Sequence, residues 1–456
     1  MSIDAFALAE DLATQGQSHL LAGIDALPAE QRQTYLDRLA AVDWEELSHE
    51  LPPPAAEEVG PSRVIDRAER QERQAALTEA GLAAYGAGQV AVLMVAGGMG
   101  SRLGFSGPKG CFEVGAHSGK SIYQIQAEKV LDAGRRHQCR IPFLVMTSPV
   151  TDAETREFFA ANEYFGLEAE QLRFFSQGTV PSLSRSGQAL LAGPGQLLEN
   201  PDGHGGCFTA LVGSGNLQRL RDEGIEYLVY IQVDNLLVPV DDPLLVGAAA
   251  LEQAEVVTKV LAKAHPDEKV GHLVRVGEAD RIIEYTELSP EDTRRRGADG
   301  ELIYRWGSPA MHCWRVSFLS RLAEQGFRPP LHRSAKPLKA WVDGALNSVD
   351  GWKSERFIFD LIPEAKISIG LVIDRDDEFA PVKNAEGADS PDSARQLVSD
   401  CHRRWLEAAG VRVQLSEGQL IEISPRFAGS LASFQQRWDQ RLQEVIGDYY
   451  LEGDQR

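Results

Sequence analysis

A glycine-rich segment flanked by two cations contains the residues whose types and spacing point most directly to chemistry. It reads Ala96-Gly-Gly-Met-Gly-Ser-Arg-Leu-Gly104 and is followed by Gly107-Pro-Lys-Gly110, directly after the apolar run Val90–Ala96. Glycines let main-chain N–H groups approach an anion that a Cβ would keep away. Arg102 and Lys109 add positive charge where phosphates would lie. The segment predicts a phosphate-binding loop, and the alternative is a plain glycine turn between a strand and a helix.

Two commoner glycine motifs do not fit this chain. A dinucleotide-binding fingerprint needs a glycine at the position that Leu103 occupies. A Walker A loop needs four residues between its glycines, whereas Gly115-Ala-His-Ser-Gly119-Lys-Ser121 has three. We interpret the Gly-Lys-Ser sequence as the start of a helix, so the pattern favours neither NAD binding nor P-loop hydrolysis.

A carboxylate follows another apolar run. Asp234 comes directly after Tyr227–Val233, and ligands of open α/β sheets bind beyond the carboxyl ends of the strands. An aspartate at such a place can hold Mg²⁺ between phosphate groups. The alternative is that Asp234 only caps the turn that follows.

The elements that must position these residues alternate along the chain. Apolar runs at Phe143–Met146, Tyr227–Val233 and Ile367–Ile373 are separated by helical patterns such as Ser121–Ala133 and Thr151–Asn162. Continuous apolar runs between helices are typical of strands buried on both faces. The sequence therefore predicts an α/β fold with a doubly wound, mostly parallel, Rossmann-like sheet.

Changes in the pattern predict three segments. Amphipathic helices up to about residue 50 give way to the proline-rich stretch Leu51–Pro61, and apolar density falls again after Pro381. The predicted segments are an N-terminal helical part, a central α/β domain that contains the candidate catalytic residues, and a small C-terminal α+β unit, at 1–88, 89–380 and 381–456.

Composition limits the classes of partner. The 456 residues include 46 basic and 67 acidic side chains, so the net charge of −21 opposes binding to nucleic acid or to an anionic membrane. The apolar runs are too short to span a bilayer. Five scattered cysteines without a C-x-x-C pair argue against disulfides and a zinc site. With no secretory pattern at the N-terminus, we expect a cytoplasmic protein.

Further segments occur in a characteristic order after the glycine loop: Lys120–Gln126, Met146–Ser148, Phe175–Gln177, Pro201–Gly206, Val233–Asn235, Ile283–Tyr285, Phe357–Asp360 and Pro381–Ala385. Together with the loop they resemble the eukaryotic-type UDP-N-acetylglucosamine pyrophosphorylases, within the UDP-sugar pyrophosphorylase family. The resemblance covers about residues 90–395. It implies a Mg²⁺-dependent uridylyltransferase that converts UTP and a sugar 1-phosphate, foremost N-acetylglucosamine 1-phosphate, into a UDP-sugar and pyrophosphate.

The resemblance also assigns roles to individual residues. It implies catalytic cations at Arg102, Lys109 and Lys383, with Lys353 as a further candidate, and Mg²⁺ binding by Asp234. It implies nucleotide contacts from Gly97, Gly98, Gly100, Gln177, Pro201 and Gly203. It implies sugar contacts from His204, Gly271, Glu284 and Ser308. Such a transfer needs positioning and charge neutralisation and no protein nucleophile.

Two departures from the family pattern keep other acceptors open. His204 and Ser308 stand where these relatives usually carry asparagines near the sugar. Glucose 1-phosphate, or a broad range of sugar 1-phosphates, is therefore an alternative acceptor, and His204 could instead be a loop histidine that packs on a neighbour. A catalytically inactive nucleotide-sugar-binding regulator is a further alternative, which the retained charges disfavour.

Overall fold

The computed structural model describes residues 5–49, 59–263, 265–268, 270–297, 300–439 and 442–453. The chain divides into two compact units, each assembled from three stretches. The first unit contains Met1–Ala55, Gln177–Ala210 and Arg328–Asp360, and the second contains Ala56–Ser176, Leu211–Phe327 and Leu361–Arg456. This division differs from the three consecutive segments at 1–88, 89–380 and 381–456, which stay a prediction.

The helices follow the predicted pattern closely. The predicted start at Gly-Lys-Ser is confirmed, since the Ser121 hydroxyl oxygen accepts a hydrogen bond from the Gln124 N–H at 3.1 Å and caps the helix that follows. Among the described residues, no helix is both long enough and apolar enough to cross a bilayer. The helices are Ala5–Thr14, Ala29–Ala40, Trp44–Ser48, Arg67–Gly86, Ile122–His137, Asp152–Ala161, Gly206–Gly213, Asn216–Asp222, Pro243–Leu251, Val316–Glu324, Arg375–Glu378, Pro391–Ala408 and Leu431–Arg437.

In the first unit, the N-terminal helices pack on short strands and a long hairpin. Leu12 and Leu39 of the helices are fully buried in one core with Leu183 and Leu331. The hairpin turns at Asp343-Gly344, where both residues have positive φ, as an Asp-Gly turn between twisted strands requires. The strands of this unit are Thr179–Pro181, Leu183–Ser184, Leu191–Gly193, Gln196–Leu197, Glu199–Pro201, Leu331–Val342 and Ala345–Arg356.

The second unit is built around one twelve-stranded sheet. Its strands in chain order are Val59–Gly60 (β1), Val64–Ile65 (β2), Val90–Val95 (β3), Phe143–Thr147 (β4), Leu172–Ser176 (β5), Tyr227–Gln232 (β6), Val256–Ala262 (β7), Gly271–Val276 (β8), Ala279–Ile283 (β9), Trp306–Ser308 (β10), His312–Arg315 (β11) and Ser368–Val372 (β12). The spatial order is β1-β8-β10-β7-β11-β6-β3-β4-β5, with β9 beside β8 and β12 between β7 and β2.

The expectation of a mostly parallel sheet needs correction, because the sheet is mixed. β6, β3, β4 and β5 are parallel neighbours, as are β7, β12 and β2. β11 lies between β6 and β7 and runs antiparallel to both. A buried strand carries an apolar run whichever way it points, so the sequence pattern could not show this reversal. The α/β class is confirmed, and the doubly wound arrangement stays a prediction.

The C-terminal residues form a small α+β layer within the second unit. The helix Pro391–Ala408 lies near two pairs of short parallel strands, Arg412–Gln414 with Glu444–Ile446 and Ile421–Ile423 with Tyr449–Leu451. A separate apolar core includes fully buried Leu406 and Phe434. The helix and short strands predicted after Pro381 are thus present.

Two helices of the second unit approach each other through glycines. A Cβ added at Gly81, in Arg67–Gly86, would overlap the carbonyl oxygen of Pro243, and one added at Gly247 would overlap the carbonyl oxygen of Leu77. Both positions are in close main-chain contact and leave no room for a methyl group.

We therefore expect Gly81→Ala to lower the free energy of unfolding by about 1–3 kcal/mol, because overpacking displaces one helix from the other. Gly86→Ala is the matched control, since a Cβ at Gly86 would have no neighbour within 4 Å. Urea unfolding followed by circular dichroism measures both variants. Equal midpoints would contradict the close contact.

Candidate active site

The glycine loop after β3 has a fixed shape. Gly100 N–H donates to the Gly107 carbonyl at 2.9 Å, and Lys109 N–H donates to the Gly98 carbonyl at 3.0 Å. A Cβ at Gly100 would lie 2.8 Å from the Phe105 ring. These bonds hold Lys109 at the end of a closed loop, so the segment is more ordered than a plain turn.

Several N–H groups of this loop are available to a ligand. Those of Gly97, Gly98, Ser101 and Arg102 have no main-chain acceptor among the described residues. A Cβ at Gly98 would meet nothing within 4 Å, so open space adjoins the loop. The Arg102 side chain is exposed. N–H groups next to a free cation suit an anion such as a phosphate.

Lys109 and Asp234 meet at the carboxyl ends of two neighbouring strands. β3 and β6 are parallel, with Val95 opposite Gln232. The Lys109 Nζ lies 3.3 Å from Asp234 Oδ2, and both side chains are less than one-fifth exposed. The sequence predicted both residues at this edge separately, and the structure brings them into contact.

Asn235 caps the turn after β6, whereas the Asp234 carboxylate accepts no main-chain N–H among the described residues. Asn235 Oδ1 accepts from the N–H groups of Leu237 at 3.2 Å and Ala380 at 2.8 Å. Asn235 Nδ2 donates to the Glu378 carbonyl at 2.7 Å. The alternative of a turn cap thus applies to Asn235 and leaves Asp234 for another role.

The same bonds place Lys383 near this edge. Val382 N–H donates to the Asp234 carbonyl at 2.9 Å, so the main chain before Lys383 runs beside Asp234. The Lys383 side chain is exposed, with its Nζ 5.7 Å from the Phe379 ring centroid. Sequence reasoning missed Asn235, although it is the third residue of the Val233-Asp-Asn235 segment that signalled Asp234.

Three of the predicted sugar contacts come together in the second unit. Gly271 of β8 lies opposite Ser308 of β10. A Cβ at Gly271 would lie 3.0 Å from Glu284 Oε1. The Ser308 Oγ accepts from the Ala310 N–H at 3.2 Å. The absence of a side chain at Gly271 therefore keeps space beside the Glu284 carboxylate.

The other predicted contacts belong to the first unit. Gln177 is buried, and Pro201 lies opposite Thr179 in a short antiparallel pair. Gly203 has φ +85°, and a Cβ there would lie 2.6 Å from the Arg356 carbonyl oxygen. Only glycine fits this turn without strain.

His204 is held as a neutral ring. Its ring centroid lies 5.4 Å from that of Phe357 and 5.7 Å from that of Phe359. The Ile358 N–H donates to His204 Nδ1 at 3.2 Å, so the ring proton is on Nε2. Burial lowers the pKa of His204 to about 4. The ring packs as the simpler alternative expected, and Nε2–H is still a hydrogen-bond donor.

Lys353, the further candidate cation, is already paired. Its Nζ lies 2.6 Å from Glu355 Oε1 within the first unit.

The structure groups the predicted residues of the second unit into two clusters. The first cluster contains Arg102 and Lys109 of the glycine loop, Asp234, which Lys109 contacts, and the segment with Lys383. The second cluster contains Gly271, Glu284 and Ser308.

A family model described as UTP–glucose-1-phosphate uridylyltransferase matches residues 31–426. The chain belongs to this family. Members of the UTP–glucose-1-phosphate uridylyltransferase family are nucleotidyltransferases, so the expected enzyme class and the resemblance found in the sequence are confirmed.

Relatives in this family cover most of the chain. UDP-N-acetylglucosamine diphosphorylase 2 of Arabidopsis thaliana is 36% identical over 430 residues, which are 89% of this chain and 85% of the relative. UDP-N-acetylglucosamine pyrophosphorylase of Saccharomyces cerevisiae is 37% identical over 363 residues, 76% of each chain. The crystal structure of the uridine diphosphate N-acetylglucosamine pyrophosphorylase of Trypanosoma brucei has a TM-score of 0.79, with 29% identity, and covers 100% of this chain and 99% of that one.

We expect Asn235→Ala to lower kcat by on the order of 10- to 100-fold, because a small displacement of catalytic groups is costly and this side chain ties the Asp234 turn to the Lys383 segment. The control is Asn216→Ala, whose half-buried side chain donates to Ser214 Oγ. Turnover is measured beside the melting temperature. A lower melting temperature with unchanged kcat would show that Asn235 acts on stability alone.

Proposed function

We propose that the protein is a Mg²⁺-dependent uridylyltransferase that joins UTP to N-acetylglucosamine 1-phosphate, giving a UDP-sugar and pyrophosphate. The observation that carries this proposal is the contact between Lys109 and Asp234 beside a glycine loop with available N–H groups. The printed names of the relatives support the choice of acceptor. Five free cysteines are in keeping with a reducing cytoplasm.

The chain's part in this reaction is to bind and neutralise phosphate charge. A phosphate oxygen of the sugar 1-phosphate attacks the α-phosphorus of UTP, and the bond from that phosphorus to the β-phosphate oxygen breaks as pyrophosphate leaves. The loop N–H groups, Arg102, Lys109 and Lys383 would stabilise the charge that develops on the phosphate oxygens. A chain of net charge −21 otherwise repels both substrates, so these local cations are needed for binding as well.

Asp234 is the residue that would hold Mg²⁺. Mg²⁺ in nucleotide sites takes one or two protein carboxylates and completes its ligands with phosphates and water. The described part of the chain has no cluster of three His, Cys, Asp or Glu side chains. A single carboxylate such as Asp234 is compatible with this mode of Mg²⁺ binding. Bound by Asp234, the ion would supply positive charge that neutralises phosphate groups.

Recognition of the sugar and of uracil rests on the remaining predicted residues. Glu284 can accept from sugar hydroxyls, and His204 can donate through Nε2–H. Gln177 offers an amide that can pair with the edge of uracil, as a preference for UTP over ATP and GTP requires. Each of these roles is part of the proposal.

Glucose 1-phosphate is the second candidate acceptor, and the Ser308 hydroxyl is the observation that favours it. Its Oγ already accepts from Ala310 N–H, and a hydroxyl cannot pair with both ends of an acetamido group. Discrimination is strongest where a missing substrate group leaves a buried polar partner unpaired, and a short hydroxyl weakens that penalty.

We expect Asp234→Asn to reduce turnover by on the order of a hundredfold or more, because the neutral amide stabilises neither the ion nor the phosphate charge. Asp222→Asn is the control, since Asp222 is exposed and accepts a hydrogen bond from Gln218 of its own helix. Pyrophosphate release is followed across a Mg²⁺ titration. A near wild-type rate at limiting Mg²⁺ would contradict the role of Asp234.

The test of the acceptor compares catalytic efficiency on the two sugar phosphates. We expect the wild-type enzyme to use both within roughly a factor of 100, about 2.7 kcal/mol in transition-state energy. His204→Asn should shift the preference toward N-acetylglucosamine 1-phosphate, while the exposed His49→Asn should not. Pyrophosphate release with UTP, ATP and GTP is measured on the same acceptors.

Complete selectivity of the wild-type enzyme for the acetamido sugar would show that residues other than His204 and Ser308 read that group. Equal turnover with ATP or GTP would refute the uridine assignment. No pyrophosphate release on any sugar 1-phosphate would favour the inactive nucleotide-sugar-binding regulator.

A further inference from the structure

The second unit contains a cavity that none of the predicted site residues lines. Its volume is about 350 Å³, and it lies between the helix Ile122–His137, the turn Leu236–Pro239, the helix Pro391–Ala408 and the strand Ile421–Ile423. Ligand sites for small molecules begin at about this size. The cavity is thus large enough for a small organic molecule.

Most of the cavity wall is apolar. Its large hydrophobic side chains include Val114, Ile125, Val398, Trp405 and Leu431. Leu431 is 39% exposed and marks the rim. A wall of this kind binds the apolar body of a ligand.

The charged residues of the wall are paired, with one exception. Arg404 pairs with Asp377 at 2.7 Å, and Arg395 pairs with Asp392 at 2.8 Å. The Glu422 carboxylate accepts from the N–H groups of His117 and Ser118 at 2.7 and 2.9 Å. The charges of Arg404, Arg395 and Glu422 are thus already satisfied by these partners.

Lys129 is the exception. Its side chain is buried, and its Nζ donates to the carbonyls of Leu236 at 2.6 Å and Val238 at 3.0 Å. An ammonium has three N–H groups, so one is not used by these two bonds. Among the described residues no carboxylate lies within 4 Å of this ammonium. Burial of a cation without an anion is costly, and burial lowers the pKa of Lys129 to about 7.

We propose that this cavity binds a small carboxylate with an apolar body, and that its carboxylate pairs with Lys129. The apolar wall would cover the body, and the bound carboxylate would hold the Lys129 amine in its charged form, which favours an anion over a neutral molecule of the same shape. This site is separate from the proposed UTP and sugar-phosphate contacts.

A ligand bound at Lys129 would affect the position of Asp234 through the main chain of the turn that follows Asp234. Leu236 and Val238 follow Asp234 by two and four residues, and Leu236 N–H donates to the Ala380 carbonyl at 3.0 Å. A carboxylate that pairs with the remaining N–H draws the Lys129 ammonium toward the cavity and so lengthens its bonds to this turn. The consequence is a lower kcat without competition against UTP.

The experiment uses the full chain and two matched probes, 4-phenylbutyrate and 4-phenylbutan-1-ol, in isothermal titration calorimetry. We expect the carboxylate to bind at least about tenfold more tightly than the alcohol, since a charge-assisted bond is roughly twice as strong as a neutral one. Val398→Trp fills the cavity and should abolish binding of both probes. Leu251→Trp, at a position 46% exposed outside the cavity, is the control and should bind as the wild type does.

Each result decides one part of the proposal. Absence of saturable binding to the wild type, or unchanged binding to Val398→Trp, would overturn the site. Equal affinity for carboxylate and alcohol would overturn the role of Lys129. If Val398→Trp fails to fold, Leu431→Trp at the rim replaces it. Binding with unchanged kcat would keep the site and refute its coupling to the Asp234 turn, and these outcomes do not depend on which sugar phosphate is the acceptor.

Discussion

Lys109 and Asp234 lie 125 residues apart in sequence and meet because β3 and β6 are parallel neighbours in one sheet. Parallel strands end at the same edge, so the loop after one and the turn after the other share a small volume. That volume holds a cation, a carboxylate and N–H groups that have no main-chain acceptor in the described part of the chain. The chain as a whole has a strong net negative charge, but at this edge the cation and the N–H groups can bind a polyanion.

Much of the surrounding structure keeps that edge in place. Asn235 bonds three main-chain groups and ties the turn after β6 to the segment before Lys383. Lys129, from the helix after the glycine loop, donates hydrogen bonds to two carbonyls of the same turn. The side chains of Asn235 and Lys129 are both buried, and their hydrogen bonds hold the turn that follows Asp234. The geometry of the candidate site and the packing of the core are therefore linked at this turn.

Packing determines the protonation state and the tautomer of His204. The aromatic rings of Phe357 and Phe359 bury it, which lowers its pKa, and the Ile358 N–H selects its tautomer. A neutral histidine with a proton on Nε2 can offer a hydrogen bond without charge across the physiological pH range. A neutral donor of this kind can pair with a hydroxyl, whereas a phosphate favours a cation.

The sequence by itself determined which residues could do chemistry, where the main strands and helices run, and the family. Those features depend on local order: glycines beside cations, apolar runs of strand length, and a serine before a helix. Only the tertiary structure decided that β11 is antiparallel, that Asn235 and not Asp234 caps the turn, and that Lys353 is already paired. It also divided the chain into units that are discontinuous in sequence. Strand direction and contacts between distant residues follow from packing of buried surfaces, and an apolar run looks the same whichever partner covers it.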